Sequence, residues 1–179
     1  NWSKKGFLSA GFRDDQVVVV PHGVDLNTFS LISQEEKKKI RNKYKIKYDD
    51  FVLTNISAMT VNKGVEVLIA AYGMLKKKHK NLKLILKDQS NLYDIFAKSH
   101  ITHIKNSRFK DFINDEVTSN IMFISKNLSC EQINDLYGVS DCYVSPYLAE
   151  GFGLTPLEAS SSGIPIVVTK GGSTDDYFN

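Results

Sequence analysis

The chain repeats one pattern: a short, largely apolar run, a stretch with helical spacing, then another apolar run. Six runs read as strands, at residues 17–20, 51–57, 82–87, 121–125, 141–145 and 164–168. Most lack the polar–apolar alternation of a half-exposed strand, as expected for strands covered on both faces. The β-branched run Val17-Val18-Val19-Val20 is expected to be a buried strand ended by Pro21. Between the runs lie helix signatures. Ser33-Gln34-Glu35-Glu36 and Ser129-Cys130-Glu131-Gln132 are capping boxes, opening helices to about Tyr44 and Tyr137. The lysines of the first helix are expected on a solvated face. A third helix is expected from Lys63 to His79, with Val65, Leu68, Ile69, Tyr72 and Leu75 on one side. Residues 88–118 read as two short helices, near 92–97 and 109–114. Strands alternating with helices give an α/β fold, a doubly wound Rossmann-like parallel sheet.

The stretch richest in special residues is Glu150-Gly151-Phe152-Gly153-Leu154-Thr155-Pro156-Leu157-Glu158-Ala159. It follows the apolar Cys142-Tyr143-Val144. Thr155 reads as an N-cap, Pro156 suits the first helical position, and Glu158 completes capping-box spacing. Strand, glycine turn and helix start together present backbone N–H groups and a positive helix end to an anion. The two carboxylates could hold hydroxyls, so a ligand carrying both phosphate and hydroxyls fits. Two readings of Glu158 stand: a capping residue or a ligand for hydroxyls. In a doubly wound sheet, ligands bind at the carboxyl ends of the strands. The loops there are residues 21–25, 58–63, 87–91, 125–128, 146–153 and 169–173.

A net charge of +3, nearly all of its cations lysine, gives no footprint for nucleic acid. Cys130 and Cys142 have no metal spacing; Cys142 is expected in the core, which fits a reducing compartment. No run is long enough for a membrane span. Three sequons, at Asn1, Asn55 and Asn127, read as chance matches, since Asn55 falls inside a strand. No metal site is expected: His22, His79, His100 and His103 share no ligand spacing, and His100 and His103, which could share a helical face, are expected instead in a solvent loop.

Four segments together resemble retaining glycosyltransferases of the GT-B fold, in the family 4-like group. The Glu150 to Ala159 stretch, continuing into Gly163-Ile164-Pro165-Ile166-Val167, resembles the family's E-x7-E motif. Val19-Val20-Pro21-His22-Gly23-Val24-Asp25 resembles its IPNGVD segment, and Lys63-Gly64-Val65-Glu66-Val67-Leu68-Ile69-Ala70-Ala71 its KGxDxLIxA segment. Phe123-Ile124-Ser125 with Leu136-Tyr137 resembles its base-binding strand and helix.

The resemblance implies a domain that binds a nucleoside-diphosphate sugar for retaining hexose transfer, needing no cofactor or metal. It implies that Glu158 holds the donor ribose and that Glu150, the catalytic candidate, lies by the transferred sugar. Backbone groups of Gly151, Phe152, Gly153, Leu154 and Thr155 would meet phosphate and sugar, and Lys63 the pyrophosphate. Gly23 and Lys126 complete the implied donor set. Residues 1–16 would be a junction from an N-terminal acceptor domain, and residues 17–179 the donor domain cut short at its C-terminus. The acceptor would be a sugar, lipid or protein. The fragment alone is expected to be inactive, and the enzyme cytoplasmic or at a membrane surface.

Three positions depart from the pattern. Ala58 stands where the family has a phosphate-binding arginine, Lys87-Asp88-Gln89-Ser90 replaces a glycine-rich turn, and Ser125 replaces a glycine. Lys87 is a candidate to supply the missing charge, or is simply a strand-end lysine. A lapsed GT-B-like binding or interaction module is the competing expectation.

Overall fold

The computed structural model describes residues 2–178; Asn1 and Asn179, with the first sequon asparagine, lie outside the described residues. Five parallel strands, β1 (Phe51–Ile56), β2 (Leu82–Lys87), β3 (Ile121–Ile124), β4 (Cys142–Ser145) and β5 (Ile166–Val168), form one sheet in the order β3-β2-β1-β4-β5. This is the Rossmann order, and it reverses direction between β1 and β4. The register runs from Phe51↔Leu82 to Ile56↔Lys87 on one side of β1, and through Leu53↔Cys142 on the other.

Both faces of the sheet are covered because successive side chains point to opposite sides. Leu53, Leu84 and Leu86 pack with Val65, Leu68, Ile69 and Tyr72 of α3 (Val65–Lys76). Val52, Ile56, Ile85 and Tyr143 pack with Leu136, Tyr137 and Val139 of α7 (Cys130–Val139) and Ala159 of α8 (Leu154–Ser161). Asn55 is fully buried in β1 and donates to the Val144 carbonyl (2.8 Å), so its sequon carries no glycan in the folded chain. The remaining helices are α1 (Trp2–Ser9), α2 (Gln34–Lys43), α4 (Ser90–Tyr93), α5 (Ser99–Lys105) and α6 (Asp115–Ser119). Among the described residues no helix is long and apolar enough to cross a membrane.

Both predicted capping boxes form: Ser33 with Glu36 opens α2, and Ser129 with Gln132 opens α7. Three expectations are corrected. Residues 17–20 form no strand; Val18 and Val20 are 82% and 84% exposed. β-Branched residues favour extended backbone, but a strand exists only through a partner's hydrogen bonds, and no described strand runs beside these. His100 and His103 lie on α5, not in a solvent loop, and His100 is buried. Residues 94–98 are not helical, because Asp94 turns left-handed (φ 52°) and ends α4 early.

Candidate functional site

A cavity of about 410 Å³ opens where β1 and β4 end, at the reversal of the sheet. Seven of the ten donor-binding and catalytic candidates named from sequence line it: Lys63, Glu150, Phe152, Gly153, Leu154, Thr155 and Glu158. Gly23, Lys126 and Gly151 do not. Gly23 and Lys126 are exposed. The Gly151 N–H instead bonds the carboxylate of its own neighbour, Glu150 (2.9 Å). A larger hollow, about 780 Å³, flanks β5 at the sheet edge and contains none of the candidate site residues.

The turn before α8 differs from the predicted cap. Gly153, with φ 89°, is the N-cap; Thr155 lies inside the helix, where its Oγ1 meets the Tyr143 hydroxyl (2.9 Å). A left-handed residue at that position favours glycine. Leu154 and Thr155 begin α8, so their N–H groups have no carbonyl within the helix to bond. Both residues line the cavity, at the positive end of the helix. The Tyr177 hydroxyl, between the Phe152 (2.5 Å) and Gly153 (2.8 Å) carbonyls, holds the turn from below.

Glu158 is no cap. Its Oε2 accepts a hydrogen bond from Tyr137 (2.9 Å), whose ring packs edge-on against Tyr143. Oε1 has no hydrogen-bond partner among the described residues. Burial pushes the Glu158 carboxyl above its ordinary range, and the Tyr137 bond offsets part of that rise. A carboxyl whose folded pKa is raised lends stability below its unfolded pKa and loses it as pH rises through the folded value. Glu158→Gln is therefore expected to gain on the wild type in melting temperature as pH climbs from 4 toward 7. A difference that stays constant across that range would remove burial of the charge as its cause.

Glu150 and Lys63 meet directly. Lys63 Nζ donates to Glu150 Oε2 at 2.6 Å, with both side chains mostly buried. Lys63 is the one lysine or arginine lining the cavity among the described residues, against two carboxylates. Ala58 lines the wall and adds no charge. Lys87 does not compensate: it is buried and donates to the Asp88 carbonyl. The loop after β2 is organised by Asp88, which accepts from the Ala97 N–H (2.9 Å), Ser125 Oγ (2.7 Å) and the Ser90 N–H (3.2 Å). Burial pushes the Asp88 carboxyl up, but these bonds outweigh it and leave it below its ordinary value.

Sequence reasoning missed His22, Gln89 and Tyr93 as wall residues. For His22 and Gln89 the signal is their place in loops at the strand ends; Tyr93 falls in the stretch expected to be helical and carries no such signal. The His22 ring meets Phe152 edge-on, centroids 5.0 Å apart.

Known proteins resemble this chain along most of its length. Mannosylfructose-phosphate synthase of Agrobacterium fabrum is 26% identical over 163 residues, 90% of this chain and 34% of that protein. D-inositol 3-phosphate glycosyltransferase of Paenarthrobacter aurescens is 24% identical, over 88% of this chain and 36% of that one. The chain thus spans about a third of the length of these curated relatives. Among solved structures, Anabaena HepE in complex with UDP and glucose superposes with a TM-score of 0.77 and 22% identity, over 99% of this chain and 44% of that one. That likeness shows the GT-B type of fold, in agreement with the strand order. Residues 36–179, from the first turn of α2 through the turn, α8 and β5, match the family described as "Glycosyl transferases group 1", and the chain belongs to that family.

Proposed function

We propose that this chain is the donor-binding domain of a retaining, family 4-like glycosyltransferase, and that it holds a nucleoside-diphosphate hexose. One observation carries the reading: Lys63, Glu150, Glu158 and the start of α8 converge on one cavity at the point where the sheet reverses. The free Oε1 of Glu158 is suited to a ribose hydroxyl. The Leu154 and Thr155 N–H groups and Lys63 face the diphosphate, so its charge is met by backbone and lysine without a metal ion in the cavity. Loss of the nucleoside diphosphate is the step these groups assist, by stabilising the leaving anion. Glu150 would turn from Lys63 toward the transferred sugar once phosphate takes the lysine. The acceptor would be held by a separate N-terminal domain that closes over the donor.

The test is a melting-temperature screen of nucleoside diphosphates and their hexose conjugates. One base is expected to raise the melting temperature, since a ligand at 100 times its Kd adds about 2.7 kcal/mol. No shift with any of them at millimolar concentration would end this reading. Glu158→Ala is expected to weaken that ligand by about 1–3 kcal/mol, the effect of leaving polar groups unpaired. Unchanged affinity by calorimetry in a folded variant would take Glu158 out of the site.

The second reading, a binding module without chemistry, rests on Ala58 and on Lys63 being engaged by Glu150. It predicts nucleotide binding by the full-length protein with neither transfer nor donor hydrolysis.

A further inference from the structure

Away from the cavity, α3 and α5 bring Glu66, His100 and His103 together, and none of the three lines the cavity. Glu66 lies in the first turn of α3, and the histidines stand three residues apart on α5, on neighbouring positions of one helical face. One ligand atom from each lies within 4.8 Å of the others. His100 Nδ1 is 3.3 Å and His103 Nδ1 3.6 Å from the same oxygen, Glu66 Oε1.

The other nitrogen of His100 is already committed. His100 Nε2 lies 2.8 Å from the Met59 carbonyl, which can only accept, so Nε2 carries the hydrogen. His100 Nδ1 then faces the Glu66 carboxylate, 3.3 Å away, where a cation can be shared between them. This is also the arrangement of a metal-ligating histidine, whose second N–H is held by a backbone carbonyl that fixes ring and tautomer.

We propose that Glu66, His100 and His103 bind a divalent transition-metal ion, with Zn²⁺ the best match. Two imidazoles and one carboxylate suit zinc, with solvent completing the shell. Zinc–nitrogen bonds of about 2.0–2.1 Å set ligand atoms roughly 3.3 Å apart on a tetrahedron, close to the two short spacings here. His103 is 65% exposed, so the ion enters from solvent, while His100 anchors it from within. Met59 is left-handed (φ 59°) and lies between Ser57 and the turn that carries Lys63. A bound ion therefore ties that loop to α3 and α5.

Zinc titration of the metal-stripped protein by calorimetry, with His103→Ala and Glu66→Gln beside it, tests the site. Both substitutions fall on at least partly exposed side chains and should leave the metal-free melting temperature close to the wild type. The wild type is expected to bind one Zn²⁺, and each variant at least tenfold more weakly. Substituted Co²⁺ should give the intense visible absorption of a tetrahedral ion, lost in His103→Ala. Absence of zinc binding, wild-type affinity in both variants, or the weak spectrum of hydrated Co²⁺ would overturn the site. These readouts need no nucleotide, so they stand or fall apart from donor binding.

Discussion

Arg41→Ala is expected to lower stability by about 2–4 kcal/mol, the scale for leaving several buried acceptors unpaired, while Lys37 Nζ, 3.1 Å from Asp141 Oδ1, still pairs that carboxylate. Arg41 lies in α2 yet is buried. Its Nη2 bonds Asp141 Oδ2 (2.6 Å) and the Val139 carbonyl (2.9 Å), its Nε the same carbonyl (3.1 Å), and its Nη1 the Asp50 carbonyl (3.0 Å). Asp141 Oδ2 also accepts the Val52 N–H at 2.8 Å, so the guanidinium joins α2, β1 and the approach to β4. Alanine would strand several buried acceptors at once. Arg41→Lys keeps the charge but not the planar fork, and should recover only part of the loss. Urea unfolding followed by circular dichroism reads both; a loss under about 1 kcal/mol for alanine would mean that water replaces the guanidinium freely.

The second large effect is expected at Lys63. Lys63→Ala should weaken nucleoside diphosphates by about 2–4 kcal/mol, roughly 30- to 1,000-fold, the range for losing one partner of a mostly buried charge pair. Ala58 offers no second cation, and the substitution leaves Glu150 facing the phosphates uncompensated. The corresponding nucleoside, without phosphate, should lose little. Calorimetry on both ligands decides it: equal losses would place the phosphates away from Lys63.

Arg41 shows why part of the molecule could not be read in advance. A helix written Gln-Glu-Glu-Lys-Lys-Lys-Ile-Arg-Asn-Lys carries the charge pattern of a solvated surface. Nothing in the helix itself marks one cation as buried, because the Val139 carbonyl and the Asp141 carboxylate that hold it lie 98 and 100 residues away. Signals contained within a few residues were legible. Both capping boxes formed, because their donors and acceptors are three residues apart. The run 17–20 misled, because a strand needs a neighbour that propensity does not supply. The start of α8 misled in the opposite way. Thr155-Pro156 is a good local cap, yet Gly153 took the position in a left-handed turn held by Tyr177, 24 residues on. The glutamates and Lys63 were named from the family motifs they resemble, and all three line the cavity. The Lys63–Glu150 contact was not legible, since the two lie 87 residues apart in the chain.

The position of β1 sets an order of assembly. β1, β2 and β3 are neighbours in sequence and in the sheet, whereas β4 must cross back to the far side of β1, closing the 89-residue separation between Val52 and Asp141. Longer closures lose more chain entropy before any contact repays them. The rate-limiting ensemble is therefore expected to hold β1–β2–β3 with α3 docked and β4–β5 still loose. In folding and unfolding rates against denaturant, Leu84→Ala should then slow folding, and Ile166→Val should mainly hasten unfolding. The reverse pattern would place the nucleus at the edge bearing α8. Under the expected order, the cavity wall of Glu150, Gly153 and Glu158 is the last part of the protein to take shape and the first to open.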